Sequence, residues 1–261
     1  MKKIILLLGC FLLAACTSAA PSAPFPAGLS VEEHALTKRP EAEYSQLDFA
    51  QGSQEAILAV RAAERAQAIS PLGGSCTVDN RLALCASLGP DQLAAWADDP
   101  ADPLAPVSVT VTRNGQLIYR VPVGNSSPIG SLRGLWTYAG HWALETAYVT
   151  NRQTGNEIDS QAAGQITVDG ILLNRQSGYQ EAFGFQLLDG KPFYFSKQDD
   201  KINANYDGQQ IPLGYDELPH YNCCSAATLN PKMARNMVAF FARRGGTWYY
   251  VELGAFGRTT P

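Results

Sequence analysis

Residues 107–124 read VSVTVTRNGQLIYRVPVG. Val107, Val109 and Val111 alternate with Ser108, Thr110 and Thr112, and a period of two sends alternate side chains to opposite faces of a strand. The run turns at Asn114-Gly115 and returns through Leu117, Tyr119 and Val121. An Asn-Gly pair between alternating runs is a strong hairpin signal, because both central residues of the favoured turn need positive φ. The same grammar recurs in QITVDGILLN (165–174), FGFQLLDGKPFYFSK (183–197), KINANYDGQQIPLG (201–214) and VAFFARRGGTWYYVELG (238–254). Their turns fall at Asp169-Gly170, Asp189-Gly190, Asp207-Gly208 and Gly245-Gly246. The spacing is uneven, so there is no fixed-period repeat. Residues 105–258 therefore read as an antiparallel β domain that hides its edges by closing or stacking. A barrel, a sandwich or a small propeller-like meander would each satisfy that.

Residues 29–104 read differently, as a lead-in with helical content. The stretch 29–52 has no clean period. SQEAILAVRAAERAQAI (53–69) has Ser53 to cap a helix, Glu55 in its first turn, and Ile57 and Val60 near one face. Pro71 and Gly73-Gly74 end it. GPDQLAAWADDP (89–100) reads as a second, shorter helix opened by Pro90 or Asp91 and stopped by Pro100. NPKMARNM (230–237) reads as one helical turn. The expected class is thus mainly β with a small N-terminal helical part, an α+β arrangement.

The chain opens MKKIILLLGCFLLAAC. Two lysines precede an apolar run that is short for a bilayer span, which takes about 20 residues. A basic start, a short apolar middle and small residues at the end make a secretory signal. Leu13-Ala14-Ala15-Cys16 resembles the lipobox of bacterial lipoproteins. That resemblance implies cleavage after residue 15, lipidation of Cys16 as the new N-terminus, and anchorage outside the cytoplasm by acyl chains. Residues 16–28, rich in Pro, Ala and Ser, would be a solvated tether. Cleavage removes Lys2 and Lys3 and no acid, so the formal net charge falls from −4 to −6. An acidic body argues against nucleic acid and against a polybasic membrane patch. The expected partners are the membrane, through the lipid, and an envelope protein, glycan or small molecule.

Four cysteines remain in the mature chain, 76, 85, 223 and 224. Outside the cytoplasm disulfides persist. Four cysteines allow three pairings; proximity favours Cys76 with Cys85 in GGSCTVDNRLALCAS (73–87). Cys223 and Cys224 are adjacent in HYNCCSAATLNP (220–231). Consecutive Cα atoms sit ~3.8 Å apart, below the ~4.4 Å where ordinary disulfides begin, so a vicinal bridge strains its own peptide. If the segment is a strand, one of the pair could instead reach Cys76 or Cys85.

Catalytic signatures are sparse. GxxxxGK[ST], HExxH and GxSxG are missing. His220 with Cys223 or Cys224 could make an activated thiol, although catalytic Cys and His are usually remote in sequence. Asp216 and Glu217 could combine with His220 as a carboxylate–histidine site. The bland reading of the same residues is a structural loop. A zinc set from His220 and the cysteines suffers from their adjacency. In NANYDG (203–208) Asn and Asp alternate as in a calcium loop, but Gly214 stands where a bidentate Glu is needed. A half-buried strand running into a tight turn explains every residue there. No metal and no cofactor is expected.

Trp136, Tyr138 and Trp142, with Trp248, are candidates for an aromatic ligand platform, although aromatics in strands are more often core. Alternation puts the first three on one face, with His141, Ala143 and Glu145 on the other. The expected protein is a membrane-anchored extracytoplasmic lipoprotein with a β-rich binding or envelope-structural domain. The alternative is an extracytoplasmic enzyme using a thiol or carboxylate–histidine site around residues 215–224.

Overall fold

The computed structural model describes residues 26, 28–36, 74–98, 100–126, 130–221 and 230–255. The leader, Cys16, most of the 16–28 tether, the helix expected over 53–69, and Cys223 and Cys224 lie outside the described residues. The strands are β1 (Ser30–Ala35), β2 (Gly74–Val78), β3 (Arg81–Leu88), β4 (Asp91–Ala97), β5 (Pro106–Arg113), β6 (Gln116–Asn125), β7 (Leu132–Tyr138), β8 (His141–Thr154), β9 (Glu157–Val168) and β10 (Ile171–Leu172). A single helical turn, α1 (Leu173–Ser177), precedes β11 (Glu181–Leu188), β12 (Lys191–Gln198), β13 (Lys201–Tyr206), β14 (Gln209–Tyr215), β15 (Lys232–Met233), β16 (Met237–Arg244) and β17 (Thr247–Gly254).

The protein is mostly β, built from antiparallel hairpins. The expected turns hold: Asn114 and Gly115 have φ of 52° and 78°, and Asp169-Gly170, Asp189-Gly190, Asp207-Gly208 and Gly245-Gly246 repeat the pattern. β13 and the turn after it occupy the calcium-like NANYDG stretch, where Asn203 Oδ1 accepts the Leu213 and Gly214 N–H groups at 2.9 and 3.0 Å.

The strands form four meanders. β2 to β6 run in sequence order, and β7 to β10 follow; the two join through one parallel contact, Gly124 with Val149. β11 to β14 make a third meander. The last has the order β1-β17-β16-β15. Successive meanders stack with apolar cores between them. Leu93, Val109 and Val111 of the first pack on Leu135, Trp142 and Leu144 of the second. Ala143 and Ile166 of the second meet Ala182 and Phe185 of the third. Phe183, Phe195, Ile211 and Tyr215 of the third pack on Val238, Phe240 and Val251 of the fourth. Among the described residues the sheets stack instead of closing, and no barrel forms.

Three local expectations change. The described residues of 89–100 hold no helix: Asp91–Ala97 is β4, paired with β3 on one side and β5 on the other. Leu93 and Ala95 are fully buried beside Val109 and Val111, so pairing on both edges outweighs the helix propensity of Ala and Leu. Ser30–Ala35 is not irregular but an edge strand on β17, a partner more than 200 residues away in the chain. Lys232–Met233 pairs with β16 instead of turning helically. Here the Asn230 side chain bonds the Phe241 N–H and C=O at 2.8 and 2.9 Å and holds the segment extended. Since β2 to β4 share a sheet with β5, the helical character expected of residues 29–104 does not hold in their described part.

Candidate functional site

The junction of the second and third meanders brings together the protein's most unusual chemistry. β7 and β8 turn at Ala139-Gly140, with Tyr138 opposite His141 and Trp136 opposite Ala143. Directly opposed residues share a face. Trp136, Tyr138, His141, Ala143 and Glu145 therefore look toward β11. Trp142 belongs to the other face, buried with Leu135 and Leu144. The expected grouping of Trp142 with Trp136 and Tyr138 fails because a two-residue turn reverses the parity that a continuous strand would keep. Trp248 is also core, 8% exposed in a separate cluster on β17.

Trp136 and Tyr138 are half-buried and converge on Phe185 of β11, with ring centroids 5.0 and 5.9 Å away. Tyr194 of β12 stacks on the same ring at 6.5 Å, and Tyr179 lies 6.4 Å beyond it. The indole of Trp136 lies over Gly134, where a Cβ would fall 1.9 Å from its outer ring carbon, so only glycine admits this pose. Polar groups rim the aromatics. His141 Nδ1 donates to Asp169 Oδ2 at 2.6 Å, and Asp169 Oδ1 accepts the Trp142 N–H at 3.0 Å. Asp169 is the hairpin residue at the β9–β10 turn, so turn chemistry places it. Tyr179 donates to Asn205 Oδ1 at 3.2 Å. Burial, then the charge of Asp169, pushes the Tyr138 phenol up; burial and Tyr179 push Tyr194 higher still. Both stay neutral donors.

Deeper along the seam two carboxylates lace the sheets together. Glu145 of β8, 4% exposed, accepts the Gly184 and Phe185 N–H groups of β11 at 3.0 and 2.6 Å, and the Tyr221 hydroxyl donates to it. Burial raises its carboxyl above the ordinary range, although these bonds and the charge of Arg133 oppose the shift. The Arg133 guanidinium lies 5.0 Å from the Tyr221 ring centre. Glu181 of β11 reaches the opposite way, accepting the Gly164 N–H of β9 at 2.7 Å and the His220 Nε2–H at 2.7 Å. Burial works to raise it, but the hydrogen bond and charge of His220 win, and its carboxyl sits below the usual range. His220 stacks flat on Phe183 at 3.6 Å and gives its Nδ1–H to the Leu218 carbonyl at 2.6 Å.

The residues expected around 215–224 do not gather. Asp216 pairs with Lys201 and accepts the Gly245 N–H at 2.8 Å. Glu217 pairs with Arg243 at 2.9 Å. Each supports a neighbouring hairpin, and neither meets His220. Cys224 lies outside the described residues. Cys76 and Cys85 form the expected disulfide, a diagonal link across β2 and β3. Among the described residues no group of three or more His, Cys, Asp or Glu is arranged to hold a metal ion.

Sequence reasoning missed Glu145, Glu181, Asp169, Tyr179 and Tyr194. Glu145 left one signal: an acid between Ala143 and Ala147 on an apolar alternating face. No family model, curated protein or solved structure matches the chain.

Proposed function

We propose that the protein is a lipid-anchored extracytoplasmic lipoprotein whose β-rich body is a binding module, and that its ligand docks on the aromatic seam between β7–β8 and β11–β12. The observation that carries the binding reading is the half-buried group Trp136, Tyr138, Tyr179 and Tyr194 around Phe185, edged by the His141–Asp169 pair. Aromatic walls with a few convergent polar groups are the usual make-up of ligand sites. The leader and Leu13-Ala14-Ala15-Cys16 support the anchor.

The enzymatic alternative draws on the His220–Glu181 pair. Both imidazole nitrogens are engaged there, with Leu218 and Glu181, and the ring lies flat on Phe183. A histidine held on three sides suits a structural joint better than a general base, which needs a nitrogen facing substrate.

The anchor is tested by fractionating cells that express Cys16→Ala. The protein should leave the membrane fraction while keeping its fold, read by near-ultraviolet circular dichroism. Retention in the membrane fraction would contradict lipidation at Cys16.

A further inference from the structure

We propose that the aromatic seam takes a carbohydrate, with the apolar face of a pyranose ring against Trp136 and Tyr138 and its hydroxyls meeting the polar rim. The inference rests on the binding reading above and adds the ligand class. A sugar has C–H faces that suit aromatic rings and an equatorial belt of hydroxyls, each both donor and acceptor. The seam offers the same division. Its floor is Phe185, 1% exposed, on which the half-buried rings of Trp136 and Tyr138 pack at 50° and 39°.

The rim is two-sided in hydrogen bonding. Tyr138 brings a phenol that can donate and accept; the Tyr179 hydrogen is given to Asn205 and Tyr194 is hydrogen-bonded to Tyr179, so these two offer acceptor lone pairs. His141 commits Nδ1 to Asp169 and keeps Nε2 for a ligand. Its side chain is 54% exposed, within reach of a ligand.

Other ligand classes fit less well. A quaternary ammonium ion favours rings enclosing it with an acid at hand. Here the rings pack on Phe185, and both Asp169 oxygens are taken by His141 and Trp142. An anion would need cationic side chains, and the aromatic group itself contributes none. A purely apolar ligand would leave the phenols and His141 without hydrogen-bond partners from the ligand.

The test is saturation-transfer NMR and tryptophan fluorescence on the full mature chain in detergent. The probes are N,N′-diacetylchitobiose, cellobiose and maltotriose, with choline and a hydrophobic tripeptide as comparators. At least one saccharide should receive saturation on its ring C–H protons. Tyr138→Ala and Trp136→Phe should each weaken that binding about tenfold or lose it, the scale of a lost aromatic contact. The milder Trp136→Phe guards against misfolding, and near-ultraviolet circular dichroism reports on both variants. Saccharide binding unchanged in both variants would overturn the placement. Choline or tripeptide binding that depends on Trp136, with no saccharide bound, would overturn the carbohydrate class and leave the binding reading standing. Binding of none of the five would overturn both.

Discussion

Glu145 and Glu181 show how much one side chain decides at the joint of two sheets. Each carboxylate accepts backbone N–H from the facing sheet, Glu145 from Gly184 and Phe185 and Glu181 from Gly164. Losing such an acceptor leaves buried donors unpaired, at a cost of about 1–3 kcal/mol for each. Their titrations pull in opposite directions. Glu181 sits below its ordinary value, so its stabilisation is complete above the unfolded carboxyl pKa of about 4.3 and is lost as pH falls through the lower folded value. Glu145 sits above its ordinary value, so it favours the folded state most in acid and costs stability as pH rises between the two values. The groups facing this pair are His220, Tyr221, Arg133 and Lys197. Glu181→Gln is expected to flatten the acid limb of stability below about pH 4, measured by urea unfolding across a pH series. An acid limb as steep as that of the natural protein would show that Glu181 is not held below its ordinary value.

The hairpin is the element that was legible in the sequence, and the reason is local. Asn114-Gly115 and its counterparts carry their turn chemistry within two residues, and the flanking alternation selects the face. β4 and β1 were not legible, because what makes them strands lies elsewhere in the chain. β4 extends because β3 and β5 pair with both its edges and bury Leu93 and Ala95; Asp91 then bonds Arg113 Nε at 2.7 Å and Asn114 Nδ2 at 2.6 Å. β1 has its only described strand partner in β17. The seam was half legible for the same cause. Trp136 and Tyr138 were visible as aromatics, but their companions Phe185, Tyr179 and Tyr194 come from a different meander.

At the edge of the first sheet, the Cys76–Cys85 bond ties β2 to β3 across a sequence separation of 9. Among the described strands β2 pairs only with β3, so the bond ties the end of that sheet against fraying. Cys76→Ala with Cys85→Ala should destabilise by about 2 kcal/mol, somewhat under the ~3 kcal/mol of a 15-residue loop. Hydrogen exchange should quicken first at residues 74–82 while β12 and β16 keep their protection. Equal loss of protection across all sheets would show that the bond supports the whole body.

On the scale of the molecule, four stacked meanders are built largely from short-range hairpins, and stacking hides sheet faces that a lone hairpin would expose. No described helix is long and apolar enough to cross a membrane. In the proposed arrangement Cys16 carries the attachment, and the stacked sheets present the aromatic seam. The most direct measurement is the intact mass of the protein taken from the membrane fraction, before and after alkylation under non-reducing conditions. The expected result is a chain beginning at Cys16, heavier than its sequence by diacylglycerol, with or without a further N-linked acyl chain, and with Cys76 and Cys85 refusing the alkylating reagent. A chain that keeps residues 1–15, or begins at an unmodified residue, would contradict it.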